Sequence, residues 1–213
     1  PLVLPSFNTN SGQQWLDSLK ATMDALDDPN LIATVHFYGF WPFSVNIAGV
    51  TTVDDAVIAD INATVNNTYN TFVANGIPVV VGELGLLSYD PNNPATERGE
   101  VLKFFELITA SLQSTGITWQ VWDAGQLFDR TSYQWKDPEL VGYYLQSVTT
   151  RSSTAATDLV FVPDSAPKDV VIPLNLNGNT FVSLTDGATP LTPGVDYTLI
   201  GDVLTVKAGA LAA

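Results

Sequence analysis

From Leu2 to about Arg151, short and nearly continuous apolar runs alternate with longer segments whose apolar residues recur at helical spacing. Runs of the first kind read as strands buried on both faces, and segments of the second kind as helices with one buried stripe. Their alternation is the sign of βα units around a parallel sheet. Strands are predicted over Leu2–Phe7, Leu31–Tyr38, Pro78–Gly85 and Ile117–Gly125. The first helix is predicted over Gln13–Leu26, where Trp15, Leu16, Leu19, Met23 and Leu26 share a face, and it ends at the turn-like Asp27-Asp28-Pro29-Asn30. A second runs from Val53 to Asn75, after Thr51-Thr52 and up to Gly76. A third runs from near Thr96 to Gly116, and a fourth from Asp137 to about Thr150.

After Arg151-Ser152-Ser153 the pattern changes to Pro, Gly, Thr and Val, with turn signals at Asn177-Gly178, Asp186-Gly187, Pro193-Gly194 and Gly201-Asp202. The runs VVIPLNL, TFVSL, YTLI and VLTVKA make this a small all-β sandwich module. The expected layout is therefore α/β over 1–152, a linker or the first strand of the next module over 153–167, and a partial β-sandwich over 168–213. Four βα units are half of a (β/α)8 TIM barrel, which takes about 250 residues to close. A half-barrel leaves two bare sheet edges, so a complementary N-terminal half of the same barrel is the expected partner. The opening Pro1-Leu2-Val3 and the stop at Ala213 both read as cut ends.

Composition narrows the chemistry. With 213 residues and 46% hydrophobic content the chain can bury a sizeable core. Its 22 acids stand against 8 Lys and Arg, a formal net charge of -14 that speaks against nucleic acid and against an anionic membrane surface. A neutral polysaccharide meets no such repulsion. The absence of cysteine removes disulfides, a thiolate nucleophile and zinc–thiolate sites. No apolar run is long enough to span a membrane. Few lysines, many Thr, Asn and Ser, and an acidic surface point to a secreted, extracellular protein; no cofactor is expected.

Functional side chains of parallel barrels gather at the C-terminal ends of strands. Here those ends carry Asn8, His36 and Tyr38, Glu83, and Trp122 with Asp123. Glu83 follows Val79-Val80-Val81-Gly82, so a carboxylate stands at the mouth of an apolar strand. It reads either as a nucleophile or acid/base, or as a cap of the next helix or the partner of a buried Arg. His36 is the only histidine, and there is no G-x-S-x-G elbow and no His-Glu spacing, which argues against a serine hydrolase and a catalytic metal. For His36 a core hydrogen-bonded role and a site role stay open. Trp122, Trp41, Phe40, Phe43, Trp15 and Trp119 read either as sugar-stacking surfaces or as core. Trp119 and Trp122 must face opposite sides of one strand, with Trp122 nearer its C-terminal end. Asn8, Trp41, Phe43, Trp122 and Asp123 are the candidate substrate-binding residues.

Together LIATVHFYGFWPFSVN, IPVVVGELGLL, ITWQVWDAGQLFDR and RSSTAATDLVFV resemble the second half of glycoside hydrolase family five endoglucanases, over about residues 1 to 160. PLNLNGNTFVSLTDGATPLTPGVDYTLIGDVLTVKAG is similar to the start of the immunoglobulin-like X2 module that trails such domains. The resemblance implies retaining, endo-acting hydrolysis of a β-1,4-glucan, with mannan or xyloglucan as alternatives. The four strands become strands five to eight of the barrel. Glu83 becomes the nucleophile, Tyr38 the hydroxyl that keeps it ionised, His36 a support for the acid/base side, and Trp122 the floor of the cleavage subsite. The family's acid/base sits in an Asn-Glu pair, a dipeptide this sequence lacks, so that residue is expected outside the chain. Ala124 and Leu127 stand where the family pattern has Asn and His. A non-catalytic carbohydrate-binding or cell-wall protein with an aromatic groove is the competing reading.

Overall fold

The computed structural model describes residues 1–87, 96–123 and 125–211, and it divides into two compact units, Pro1–Thr150 and Arg151–Ala213. The first unit runs β1 (Leu2–Pro5), α1 (Gln13–Leu26), β2 (Leu31–Phe37), α2 (Trp41–Ser44), α3 (Asp55–Thr71), β3 (Val79–Leu84), α4 (Arg98–Ser114) and β4 (Thr118–Val121). A hairpin of β5 (Phe128–Asp129) and β6 (Gln134–Trp135) follows, and then α5 (Pro138–Gln146). Strands β1 to β4 form one parallel sheet in sequence order, each crossover laying the next strand beside the last. That is an arc of a TIM barrel.

Local chemistry sets the helix boundaries. The buried stripe Leu16, Leu19 and Met23 defines α1, and Asp27, in the left-handed region at φ 48, ends it. Helix α3 starts later than the Thr pair suggests, because Asp54 is its cap: its carboxylate accepts the N–H of Ala56 at 3.0 Å and of Val57 at 3.1 Å. Asp137 likewise accepts from Leu140 at 3.0 Å, with Pro138 in the first turn of α5.

The helices cover one face of the sheet. Leu31, Ala33, Val35 and Phe37 of β2 and Val79, Val81 and Leu84 of β3 are buried with Val57 and Ile61 of α3 and Phe104, Phe105, Ile108 and Leu112 of α4. The expectation that every strand is buried on both faces is corrected at the edges. Leu2 and Val3 of β1 are 64% and 51% exposed, and β4 alternates between exposed and half-buried residues. Among the described residues β1 pairs only with β2, and β4 only with β3. Within the core, the fully buried Glu100 of α4 meets Lys103 Nζ at 2.9 Å and accepts the Val53 N–H at 2.7 Å, fastening the loop before α3.

The second unit contains β7 (Thr154–Ala155), β8 (Val170–Asn175), β9 (Thr185–Asp186), β10 (Thr189–Pro190), β11 (Tyr197–Ile200) and β12 (Val203–Val206). Its main sheet has the order β11-β12-β8-β7, all antiparallel, and β9 and β10 form a separate hairpin. Thr154 pairs with Asn175 and Ala155 with Leu174, so the stretch read as linker or first strand opens as a strand. No helix among the described residues is long and apolar enough to cross a membrane.

Candidate active site

A one-residue irregularity in β3 creates the site. Val81 pairs with Val35 but Glu83 pairs with His36, so Gly82 is an extra residue against β2. Against β4, Val81 pairs with Trp119 and Leu84 with Val121, so Gly82 and Glu83 together face the single residue Gln120. In a regular strand, Glu83 would follow Val79 and Val81 onto the helix-covered face. The bulge instead returns Leu84 to the core and leaves Glu83 on the other face, half-exposed beside His36.

There the Tyr38 hydroxyl donates to Glu83 Oε2, and His36 Nδ1 lies 3.2 Å from the same oxygen. Tyr38 sits one residue beyond β2, where Gly39 turns the chain at φ +77. Burial first, then the hydrogen bond to Glu83 and its charge, hold the Tyr38 phenol above its ordinary range. It therefore stays protonated and a donor. Edge-on to Tyr38, with ring centroids 6.4 Å apart, stands Trp122, 41% exposed. Its backbone N–H donates to Leu84 O at 2.9 Å, the last rung between β3 and the strand that ends at Val121. Trp119 packs edge-on against Tyr144 of α5, with centroids 5.9 Å apart.

Other predicted residues fall differently. Trp41 is exposed at the start of α2, but Phe43, two residues on, is fully buried with its ring 5.9 Å from Phe104. Phe43 is a core residue, and its substrate-binding assignment is corrected: no sugar can reach the ring. Asp123 follows Trp122 and turns one carboxylate oxygen into its own loop. Its Oδ1 accepts the N–H of Leu127 at 2.6 Å, Gly125 at 3.0 Å and Phe128 at 3.3 Å, while Oδ2 lies 3.1 Å from Arg130 Nη2. Burial works to raise the Asp123 pKa, but these N–H donors and Arg130 outweigh it and hold the carboxyl below the usual range. Asp123 braces the loop that carries Trp122. Asn8 is exposed beyond β1, in the left-handed region at φ 50, with β2 between its strand and β3. Ala124 lies outside the described residues.

Sequence reading missed the β5–β6 hairpin, a separate two-stranded sheet after β4 that carries Tyr133, 76% exposed, and Trp135, 43% exposed. Trp135 packs edge-on against Phe128 at 4.9 Å. The available signal was the aromatic pair spaced across the Arg130-Thr131-Ser132 turn.

The family described as Cellulase (glycosyl hydrolase family 5) matches residues 7–127, and Carbohydrate binding domain X2 matches residues 145–213. Endoglucanase B of Paenibacillus lautus is 52% identical over 212 residues, covering 99% of this chain and 38% of that protein. The solved tri-modular endo-beta-1,4-glucanase B of Bacillus halodurans is 46% identical with a TM-score of 0.85, covering 99% of this chain and 40% of its own. A trimodular GH5_4 subfamily endoglucanase superposes at a TM-score of 0.84 with 48% identity and the same coverage, 99% and 40%. The chain thus spans about two fifths of the length of these relatives, and over its first unit it belongs to glycosyl hydrolase family 5.

Proposed function

We propose that this chain supplies the nucleophile half of a retaining endo-β-1,4-glucanase acting on cellulose-type glucan outside the cell. The carrying observation is the bulge-placed Glu83, held on one oxygen by Tyr38 and His36 and bordered by the exposed Trp122. Relatives named as endoglucanases support the same reading.

In this mechanism Glu83 attacks the anomeric carbon of the sugar resting on Trp122, and the glycosidic C–O bond breaks as an ester to Glu83 forms. The departing oxygen takes a proton from a carboxylic acid outside this chain. That same group then removes a proton from water, which attacks the anomeric carbon, releases Glu83 and leaves the configuration retained. The two carboxyl groups stand about 5 to 5.5 Å apart in such a pair. The bare edges of β1 and β4 support the partner reading, in which four further βα units carry the acid/base and close the barrel. Mannan and xyloglucan are the competing substrates for the same chemistry.

The test uses the full-length protein with a 2-deoxy-2-fluoro cellobioside. Mass spectrometry should find the label on the peptide carrying Glu83, and Glu83→Gln should abolish labelling and lower kcat by at least about 10³-fold while cello-oligosaccharides still bind. A label on another residue, or products of inverted configuration, overturns the proposal.

A further inference from the structure

Two glycines bracket the carboxylate in Gly82-Glu83-Leu84-Gly85, and neither adopts the left-handed backbone that commonly calls for glycine. What they supply is space. A Cβ built on Gly82 would stand 2.8 Å from Thr34 Oγ1, 3.3 Å from His36 Nε2 and 3.5 Å from His36 Cδ2. One built on Gly85 would stand 3.3 Å from Tyr38 Cε1 and 3.4 Å from Cδ1. Each of the two side chains that meet Glu83 Oε2 therefore lies against a glycine, His36 against Gly82 within β3 and Tyr38 against Gly85 just beyond it.

The two positions differ in severity. At Gly85 a methyl group would sit close to van der Waals contact, and a shift of a few tenths of an ångström in the Tyr38 ring relieves it. At Gly82 the nearest atom belongs to Thr34, which is 9% exposed and held within the sheet, so the strain passes to the freer neighbour. That neighbour is the His36 imidazole, whose side chain is 26% exposed.

We infer that Gly82 is a positioning residue: the empty side-chain place at the bulge is where the His36 ring rests so that Nδ1 faces Glu83. One residue then performs two tasks. As the extra residue it turns Glu83 out of the core, and as a glycine it admits the ring that meets Glu83 once there. Calling this positioning for catalysis rests on the hydrolase reading above, but the geometry is testable without it.

His36 is the only histidine, so its ring resonances assign themselves in an NMR spectrum of this chain. In the native chain a nuclear Overhauser contact should join the ring Hδ2 to the Gly82 α protons. In Gly82→Ala the contact should be lost, and the ring ¹H and ¹⁵N shifts should move toward those of Glu83→Gln. In the full-length protein Gly82→Ala should lower kcat about tenfold or more with little change in KM, and Gly85→Ala should have the smaller effect. A folded Gly82→Ala whose ring signals stay at native positions overturns the inference, whatever its activity. Should Gly82→Ala fail to fold, the double variant Thr34→Ala/Gly82→Ala removes the atom at 2.8 Å and keeps the imidazole contact at 3.3 Å. It should show a smaller ring displacement in the same direction, and native ring signals in it overturn the inference equally. If the ring moves as expected but the full-length protein cleaves no glucan, the hydrolase reading fails and the packing role stands.

Discussion

Tyr38 gives the site a pH signature. Its folded pKa lies above the ordinary 10.0, through burial first and then the bond to Glu83 and its charge. The protonated phenol therefore contributes stability that is full below the unfolded value and is lost as pH rises through the folded one. Urea denaturation of the native chain should thus show falling stability above roughly pH 10, and Tyr38→Phe should flatten that decline. In the full-length protein the same variant should lose about 10²-fold in kcat, the cost of one donor to a reacting oxygen. A Tyr38→Phe profile that still parallels the native one in alkali would remove the hydroxyl from this role. Residue identity alone could not foretell every fate. Trp41 and Phe43 read alike as aromatics after a strand, yet the short α2 turn sends one to solvent and the other against Phe104. Asp123 read as a ligand for sugar, and its Oδ1 also accepts backbone N–H groups that no sequence displays.

Elements were legible where one period ran unbroken. Helix α1 spans the same residues as its apolar stripe, Gln13–Leu26, because every level of its pattern agrees. Strand β4 ends four residues short of its apolar run, since its neighbour β3 supplies no paired residue past Leu84. The bulge was invisible because Gly82 reads the same in a regular strand. Two variants test the braces between elements. Asp123→Asn should destabilise the loop after β4 by about 1–3 kcal/mol at neutral pH. Because the folded Asp123 pKa is depressed below 3.8, that loss should be present above the unfolded value and shrink as pH falls through the folded one. Melting temperatures at two pH values on either side of that window decide it, and an equal loss at both would refute the charge argument. Glu100→Ala should cost about 3–5 kcal/mol in denaturant unfolding, because it removes the buried carboxylate that meets the Lys103 ammonium and accepts the Val53 N–H. A loss under about 1 kcal/mol would show that water replaces the carboxylate there.

At the scale of the molecule, the βα alternation disclosed the parallel sheet, and the pattern changes near Arg151, where the second compact unit begins. Sequence could not disclose which strands would be edges, because an apolar run looks the same whether one or two neighbours pair with it. Leu2 and Val3 carry that ambiguity: they are core residues in composition and surface residues in this chain. The chain alone should leave cellulosic substrate intact, and mixing it with a separately produced polypeptide of the four preceding βα units should generate reducing ends. Turnover by the chain alone would refute this division of labour. The unpaired edges also make the molecule its own gauge of closure through amide hydrogen exchange. Amides of β2 and β3, flanked on both sides, should exchange only through large-scale opening, while the outward-facing amides of β1 and β4 should exchange at near-solvent rates. When a new strand docks on each edge, those fast amides should slow by orders of magnitude, so the protection of the outward-facing amides within Leu2–Leu4 and Thr118–Val121 reports completion of the barrel before any sugar is bound.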